Sequence, residues 1–381
     1  MMRPIKLAGS QLMMGAGCLE FLKDLGAKRA AVVVGGGSMK RSGILDQVTG
    51  YLEEAGAVVS VFDGVEADPS FRTAMRGAKF MLEFKPDLII GLGGGSAMDA
   101  AKAMWIYYEH PEMTTLEELL NAKPFPKLRA KARFCCIPST AGTASEVSRS
   151  IVITGDDGLK HGLGNMEMMP DIAICDPLVT VSMPPRITAE TGMDAMTHAL
   201  EALVSTRAHY VSDVLAKQAV IDIYHYLPKA YADGKDLEAR EMMLNASTIA
   251  GMAFTNVSLG IVHSIAQTLG GFYHVSHGLA DAVILPYIIE YNYADPRSRE
   301  RYDEMAGKLG KEDLAQTIFE LNDQLNIPRN LKGVITDKKD YYSRLEELAN
   351  VALKDGCTKT APIIPSLKGM EDLFVLVYEG K

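Results

Sequence analysis

The sequence predicts a two-domain chain in which an α/β domain with a mostly parallel sheet precedes an all-α domain. Short apolar runs alternate with helix-like stretches in the first half, which is typical of strands covered by helices on both faces. After about Pro177 strand-like runs become scarce and long helical patterns follow one another. We therefore place an α/β domain at residues 1–180 and a helical domain at residues 181–381.

Apolar, β-branched runs predict six strands in the first half. They lie at Ala30–Val34, Val58–Phe62, Asp87–Leu92, Phe134–Ile137, Ile151–Thr154 and Asp171–Cys175. Helical patterns fall between several of them, at Ser42–Glu54, Ser70–Phe84 and Ala97–Tyr108. The second half predicts helices at Ile187–Ser205, Val211–Tyr226, Leu237–Phe254, Val262–Leu269, Ser298–Lys308, Glu312–Leu325 and Tyr342–Lys354. No low-complexity linker separates the halves, so we expect the two domains to share a cleft.

Composition and charge exclude several classes of protein. The chain has 381 residues, of which 48% are hydrophobic and 23% charged, as is normal for a globular protein. A net charge of −9 gives no overall attraction for nucleic acid or an anionic membrane. No apolar run reaches the roughly 18 residues that a membrane span needs. The five scattered cysteines indicate a reducing compartment, and we expect a cytoplasmic protein.

A glycine-rich segment, Leu88-Ile-Ile-Gly-Leu-Gly-Gly-Gly-Ser96, joins a predicted strand to a predicted helix. Glycines let a diphosphate approach the backbone, and a helix N-terminus adds free N–H groups and a positive dipole end. Ser96 and Asp99 have capping-box spacing, which predicts that they fix this helix end. The segment predicts a nucleotide site. A tight turn without ligand is the alternative, because the glycines do not fit GxGxxG.

Two further loops favour a dinucleotide. The polar loop Pro138-Ser-Thr-Ala-Gly-Thr-Ala-Ser-Glu146 follows a buried strand and offers hydroxyls to a ribose or phosphate. A capping box that begins at Thr143 is its alternative interpretation. The loop Gly35-Gly-Gly-Ser38 lies where an adenine ribose is expected, and it lacks the acid that NAD usually requires. Its neighbours Lys40 and Arg41 leave room for the 2′-phosphate of NADP, although NAD also fits a neutral loop.

Four side chains of metal-binding type lie in the second half. Asp194 and His198 are four residues apart on one predicted helix, so both project from the same face. His263 lies near a helix start, and Gly270-Gly271 is expected to break that helix before His277. One carboxylate and three imidazoles suit Fe(II) or Zn(II). For each residue alone, a helix cap or a buried core position is the alternative.

Four segments together resemble the iron-containing (group III) alcohol dehydrogenase family, over nearly the whole chain. They are Gly93-Gly-Gly-Ser-Ala-Met-Asp-Ala-Ala-Lys102, Pro138-Ser-Thr-Ala-Gly-Thr-Ala-Ser-Glu-Val147, Gly192-Met-Asp-Ala-Met-Thr-His-Ala-Leu-Glu201 and His277-Gly-Leu-Ala-Asp-Ala282. The resemblance implies that residues 1–180 are a dinucleotide-binding domain, that residues 181–381 are a metal-binding domain, and that one Fe(II) or Zn(II) lies in the interdomain cleft. It also implies a homodimer that transfers hydride between NAD(P)H and a short-chain aldehyde, or from the alcohol in reverse.

The resemblance, with the loops above, assigns the site residues. The metal ligands are Asp194, His198, His263 and His277. The cofactor residues are Gly36, Ser38, Asp68, Gly94, Gly95, Ser96, Asp99, Thr140, Thr143 and Lys160. No catalytic residue is assigned, because Gln267 stands where many members have a second histidine that relays protons. His274 is our hypothesis for that role.

Three other functions stay open at this point. The same architecture would serve an NAD-dependent dehydrogenase of polyols such as glycerol. A dehydroquinate-synthase-like lyase would need a cluster of basic residues, which the helical half does not show. A nucleotide-binding module with a structural metal is the third. The suspected cleft residues are small or apolar and suggest a short-chain substrate, although Arg149 leaves room for an anionic aldehyde; they are Thr143, Val147, Ile151, Phe254 and Leu259.

Overall fold

The structure is a computed structural model, and it describes residues 4–381. The chain divides into two compact units, Met1–Met183 and Pro184–Lys381. The roles assigned above to the two domains, and the position of the metal between them, stay predictions.

The described part of the first unit contains eight strands. They are β1 (Gln11–Met14), β2 (Arg29–Gly35), β3 (Val58–Val65), β4 (Leu88–Gly93), β5 (Arg133–Pro138), β6 (Ser150–Thr154), β7 (Lys160–Gly164) and β8 (Ile172–Cys175). Six of them form one sheet in the order β1-β8-β5-β4-β2-β3, and every pair in it is parallel. The predicted mostly parallel sheet is confirmed.

One predicted strand lies outside that sheet. The run Ile151–Thr154 belongs to β6, which pairs antiparallel with β7 in a separate two-stranded sheet. The physical reason is a tight turn, in which Gly158 takes a φ of 77° and donates its N–H to the carbonyl of Gly155. Such a turn sends the chain straight back, so β6 finds its partner in the next segment rather than in the main sheet.

Helices cover both faces of the parallel sheet. In the first unit they are α1 (Ser38–Arg41), α2 (Ile44–Glu54), α3 (Phe71–Phe84), α4 (Gly95–Glu109) and α5 (Leu116–Asn121). Alternate residues of β2 enter two separate cores: Ala31 and Val33 pack with Trp105 of α4, whereas Val32 packs with Leu52 of α2. Burial on both faces explains why these strands read as continuous apolar runs.

The described part of the second unit has ten α-helices, one short 3-10 helix (Thr358–Thr360) and no strand, which confirms the all-α prediction. The α-helices are α6 (Pro185–Val204), α7 (Tyr210–Ala232), α8 (Leu237–Val257), α9 (Ile261–Tyr273), α10 (His277–Asn292), α11 (Pro296–Lys308), α12 (Leu314–Gln324), α13 (Lys338–Ser343), α14 (Leu345–Lys354) and α15 (Leu367–Glu379). Among residues 4–381 no single helix has the length and apolarity to cross a membrane. By length and composition alone, only the pair α8 and α9 would, and it is bent by 100°.

Two features of α9 and α10 differ from the sequence analysis. The glycines Gly270-Gly271 do not break α9, which continues to Tyr273 and ends at His274, where φ is 54°. Packing of this buried helix outweighs the roughly 1 kcal/mol that a glycine costs in a helix interior. The helix α10 was not recognised, because it is apolar on nearly all sides and has no amphipathic stripe.

Candidate metal centre and cofactor loops

One face of α6 forms the base of a buried polar cluster in the second unit. Asp194, His198 and Glu201 follow at spacings of four and three residues, so they project from the same side of the helix. All three are buried. Nε2 of His198 lies 3.5 Å from Oδ1 of Asp194, and the His198 ring stacks on Phe254 of α8 with 4.3 Å between centroids.

The helices α9 and α10 each bring a histidine to the same place. Nε2 of His263 lies 3.7 Å from Oδ1 of Asp194, and Nε2 of His277 lies 4.0 Å from the same oxygen. The His198 and His263 rings stack at 4.6 Å, and the His263 and His277 rings meet edge to face at 5.2 Å. The structure therefore brings together the four residues that were predicted as metal ligands.

Asp281 is a fifth member of this cluster, and the sequence analysis did not single it out. It lies one turn after His277 on α10 and is fully buried. Its Oδ2 is 3.3 Å from Nε2 of His277 and 3.9 Å from Nε2 of His263. Donor atoms of Asp194, His263, His277 and Asp281 all lie within 4.8 Å of one another. The spacing of four residues from His277 was the available signal.

Several buried atoms of the cluster have no hydrogen-bond partner. Within residues 4–381 these are Oδ1 of Asp194, Nε2 of His263 and both carboxylate oxygens of Asp281. Buried polar atoms are normally paired, and an unpaired buried carboxylate is costly. A divalent cation would satisfy oxygen and imidazole donors together. The residues therefore fit the metal that the sequence predicted.

The acids and bases of the cluster have strongly perturbed protonation. Burial raises the pKa of the Asp281 carboxyl well above its usual range. Burial also raises the pKa of Asp194, but the neighbouring histidines, His198 foremost, outweigh it and leave that pKa lowered. For His263, burial lowers the pKa, yet the surrounding acids, including Glu201, raise it well above the ordinary value. Such perturbation at one buried place is typical of functional sites.

Glu201 orients His263, and the sequence analysis missed this role. Its Oε2 lies 2.7 Å from Nδ1 of His263, and its Oε1 accepts the N–H of Val262 at 2.7 Å. A Cβ at Gly260 would lie 2.7 Å from Oε1, so glycine there makes room for the carboxylate. A carboxylate on Nδ1 fixes the ring so that Nε2 faces the cluster. The available signal was an acid three residues after His198.

In the first unit, the glycine-rich segment lies against the polar loop of residues 138–146, which is the second polar loop. Gly93 takes a φ of 146° at the end of β4, and α4 begins two residues later. A Cβ at Gly94 would lie 3.4 Å from Cγ2 of Thr140, and one at Gly95 would lie 2.7 Å from Cγ2 of Thr143. Glycine at position 95 is thus what allows the loops to pack this closely, whereas a Cβ at Gly94 would make an ordinary contact. Oγ1 of Thr140 is buried and has no hydrogen-bond partner in the described part of the chain.

The capping box predicted at Ser96 and Asp99 is wrong. The residue before α4 is a glycine, which forms no side-chain cap. Oγ of Ser96 instead donates to the carbonyl of Ala67 at 2.5 Å. Asp99 accepts from Oγ of Ser145 at 2.7 Å and from the N–H of Val152 at 2.9 Å. Both side chains therefore bind neighbouring segments that are distant along the chain. The cofactor contact of Asp99 stays a prediction.

The alternative interpretation of this polar loop, a capping box that begins at Thr143, is also wrong. The chain makes only the 3-10 turn Ser145–Val147, preceded by Ala144 with a φ of 50°. A side chain of α4 holds the conformation of this turn. The ammonium of buried Lys102 donates to three carbonyls and one hydroxyl of segment 145–150, at 2.8–3.2 Å. A charged donor satisfied in this way fixes the loop better than a local cap would.

The remaining predicted cofactor residues lie in two places. Nζ of Lys160, on β7, is 2.7 Å from Oδ1 of Asp68, so these two are brought together. Gly36 and Ser38 are exposed at the end of β2, where Nη1 of Arg41 donates to the carbonyl of Gly36 at 3.3 Å. Because β2 and β4 are parallel neighbours, their glycine loops share the carboxyl edge of the sheet, where such sheets bind ligands.

This combination of a parallel sheet with a glycine loop and a helical unit with a buried donor cluster is typical of metal-dependent enzymes that use dinucleotides. The family model described as iron-containing alcohol dehydrogenase matches residues 10–177. The model of the C-terminal part of the Fe-containing alcohol dehydrogenase family matches residues 188–378. The chain belongs to the iron-containing alcohol dehydrogenase family.

Similar proteins support this assignment to the family. The chain is 44% identical over 376 residues to an NADPH-dependent butanol dehydrogenase of Clostridium saccharobutylicum, with 96% of both chains covered. It is 36% identical over 376 residues to a 1-propanol dehydrogenase of Citrobacter freundii, with 96% and 97% covered. The solved iron-containing alcohol dehydrogenase of Thermococcus thioreducens gives a TM-score of 0.93 at 33% identity, over 99% of this chain and 100% of that one.

These matches confirm the predicted fold class and enzyme class. The protein is an alcohol dehydrogenase, an oxidoreductase that acts on CH–OH groups, and its family uses NAD(P) and a metal. The alternatives of a polyol dehydrogenase and a lyase receive no better support. The assignment of individual residues to the metal and to the cofactor stays a prediction.

Proposed function

We propose that this protein interconverts a short-chain aldehyde and its alcohol, with NADPH as the preferred cofactor and Fe(II) as the metal. The observation that carries the proposal is the buried cluster on α6, α9 and α10, in which carboxylate and imidazole donors meet without hydrogen-bond partners for several atoms. A chain of this family needs such a centre to polarise its substrate.

Asp194, His198, His263 and His277 would hold the ion. When bound, a divalent cation supplies a Lewis acid for the substrate oxygen and a nicotinamide supplies the hydride. The protein contributes rigid placement of the donors, because two of them share one face of α6 and Glu201 fixes the ring of His263. Imidazole and carboxylate donors suit Fe(II) as well as Zn(II), and the description of the matching family as iron-containing supports Fe(II).

The loop after β2 supports a preference for NADPH. Gly36 stands where an acid would repel a 2′-phosphate, and Ser38, Lys40 and Arg41 are exposed beside it. A hydroxyl and two positive charges suit a phosphate dianion. The Clostridium saccharobutylicum relative is named as NADPH-dependent, which agrees with this proposal.

The glycine loop would bind the diphosphate. Gly94, Gly95 and Ser96 open α4, whose first N–H groups and positive dipole end favour an anion. Thr140 and Thr143 pack against these glycines, and the unpartnered hydroxyl of Thr140 supports a contact with the cofactor.

Of the other three predicted cofactor residues, two keep a place near the cofactor in our proposal and one receives a different role. Asp68 and Lys160, which form an ion pair, would lie near a ribose of the cofactor. Both oxygens of Asp99 are engaged by protein donors, Oγ of Ser145 and the N–H of Val152. We therefore assign Asp99 to positioning the second polar loop rather than to a direct cofactor contact.

The substrate is proposed to be a three- or four-carbon aldehyde or alcohol. The names of two relatives, a butanol dehydrogenase and a 1-propanol dehydrogenase, support this size. We also propose a homodimer in the cytoplasm, as the family resemblance implies. All five cysteines are free, which agrees with a reducing compartment.

A kinetic panel tests the proposal. The enzyme is stripped of metal, loaded with Fe(II) or Zn(II), and assayed with two- to four-carbon aldehydes, using NADPH and NADH separately. We expect the highest kcat/KM with Fe(II), NADPH and a three- or four-carbon aldehyde. Glycerol and dihydroxyacetone serve as controls for polyol chemistry. If a metal-loaded enzyme oxidised no NADPH with any aldehyde, the proposed function would be wrong.

A further inference from the structure

We propose that Asp281 is a fifth protein ligand of the metal, so that two carboxylates and three imidazoles bind the ion and favour Fe(II) over Zn(II). This inference rests on the proposed metal centre and adds to it a ligand that the family resemblance does not assign. It concerns one acid of α10, one turn beyond His277.

One of the two distances around Asp281 is that of adjacent ligands on one ion, and the other is about half an ångström longer. Donor atoms about 2.1 Å from a metal lie about 3.0–3.4 Å apart when they are adjacent in an octahedron or a tetrahedron. Oδ2 of Asp281 is 3.3 Å from Nε2 of His277, and it is 3.9 Å from Nε2 of His263. These separations place the carboxylate inside the donor cluster rather than behind it.

The hydrogen bonding of Asp281 leaves its charge without another partner. The residue is 0% exposed, and neither oxygen has a hydrogen-bond partner within residues 4–381. Its cationic neighbours are His263 and His277, which both face it through Nε2, and the carboxylate of Asp194 lies within 4.8 Å of it as a like charge that only a shared cation would offset. The two Nε2 atoms would bind the ion, so they cannot donate to Asp281 in the loaded enzyme. A buried carboxylate then needs the cation itself as its partner.

Glu201 shows what an acid with a supporting role looks like in the same cluster. Its two oxygens accept from Nδ1 of His263 and from the N–H of Val262, each at 2.7 Å. Asp194, by contrast, is like Asp281: Oδ1 of Asp194 and both oxygens of Asp281 are buried and lack a hydrogen-bond partner. Asp281 therefore resembles the predicted ligand Asp194 and not the orienting acid Glu201.

A second carboxylate has consequences for which metal is bound. Two carboxylates neutralise a divalent ion, which lowers the cost of burying it. Zn(II) in proteins favours four ligands in a tetrahedron, whereas Fe(II) accommodates five or six oxygen and nitrogen donors. Five protein donors therefore favour Fe(II) relative to a site with four.

The test replaces Asp281 by Asn, which keeps the shape and removes the charge. Affinities for Fe(II) and Zn(II) are measured on the full-length apo enzyme by competition with a chelator, and Co(II) is added as a spectroscopic probe. We expect Asp281→Asn to weaken Fe(II) binding at least about tenfold and Zn(II) binding less. The visible bands of Co(II) should intensify as the coordination number falls. Asp222→Asn on α7, whose partner is Gln218, is the matched control.

The outcomes separate this inference from the metal centre itself. If Asp281→Asn leaves the ratio of Fe(II) to Zn(II) affinity and the Co(II) spectrum unchanged, Asp281 is not a ligand. The proposed centre of Asp194 and the three histidines would be unaffected by that result. Failure of the wild type to bind any of the three ions overturns the proposed function as well. Circular dichroism of the apo variants checks folding, and Asp281→Ser provides a second variant without a carboxylate if Asp281→Asn does not fold.

Discussion

Oε2 of Glu201 lies 2.7 Å from Nδ1 of His263, and the other oxygen of the same carboxylate binds the first turn of α9. One acid therefore fixes both a ring and the helix that carries it. Because Glu201 shares a face of α6 with Asp194 and His198, this single helix supplies two proposed ligands and orients a third.

Replacing Glu201 by Gln should weaken metal binding by about 10–100-fold. A glutamine has one acceptor oxygen, so it cannot accept from both Val262 and His263. The unfolding free energy of the apo enzyme should fall by about 1.5–3 kcal/mol, as for a lost bond to a charged group. Chelator competition and urea unfolding measure the two effects. Glu238→Gln, at an exposed position of α8, is the control and should change neither; unchanged metal affinity in Glu201→Gln would contradict the assignment.

Replacing Gly95 by Ala should raise the KM for NADPH more than it lowers kcat. The new Cβ would meet Cγ2 of Thr143 at 2.7 Å, so the glycine loop and the second polar loop must separate. Steady-state kinetics with NADPH as the varied substrate measure the effect. Gly50→Ala within α2 is the control, because nothing lies within 4 Å of its Cβ. A normal KM in Gly95→Ala would show that the loops do not hold the cofactor.

Replacing Gly36 by Asp should shift the cofactor preference toward NADH by about tenfold or more in kcat/KM, which corresponds to about 1.4 kcal/mol. An acid at this position binds the 2′-hydroxyl of NADH and repels the 2′-phosphate of NADPH. No atom lies within 4 Å of a Cβ at Gly36, so the side chain fits. Gly36→Ala tests the effect of size without charge. An unaltered ratio of NADPH to NADH in Gly36→Asp would place the 2′-phosphate elsewhere.

Glu66 should contribute stability that is lost in acid. Burial raises its pKa, but hydrogen bonds from Ser70 and Thr73 outweigh this and lower the pKa to about 2. A lowered pKa stabilises the folded state above the ordinary value of 4.5, and this contribution disappears as the pH falls toward about 2. Because the residue is exposed, we expect at most about 1 kcal/mol.

The measurement for Glu66 is urea unfolding of the wild type and Glu66→Gln at about pH 6 and about pH 3. The wild type should be the more stable protein at the higher pH, and the difference should shrink at the lower pH. The same difference at both values would mean that the Glu66 carboxylate is not the source.

The hypothesis that His274 relays protons is best tested with Asn. His274 ends α9 with a φ of 54°, a left-handed conformation that Asn adopts more readily than Ala. If the imidazole relays protons in place of the histidine absent at Gln267, His274→Asn should change the pH dependence of kcat. Affinity for the metal should not change. A pH–rate profile that superimposes on that of the wild type would contradict the hypothesis.

Local sequence patterns predicted those parts of the structure that are determined by residues close together in the sequence. The spacing of Asp194 and His198 placed both on one helical face, and apolar runs located the central strands. The capping boxes failed because Ser96 and Asp99 find partners in distant segments. Asp281 was missed for a related reason: an acid on a helix usually faces solvent, and its burial arises only from the packing of other helices around it.

A metal held by α6, α9 and α10 would act on this helical unit as a removable cross-link between segments that are far apart along the chain. Secreted domains obtain such links from disulfides, which do not persist in a reducing compartment. Since a bound ion stabilises only the folded state, the lifetime of the enzyme against heat and proteases would follow the supply of its metal, which we propose to be Fe(II). Iron starvation would then remove the protein as well as its activity.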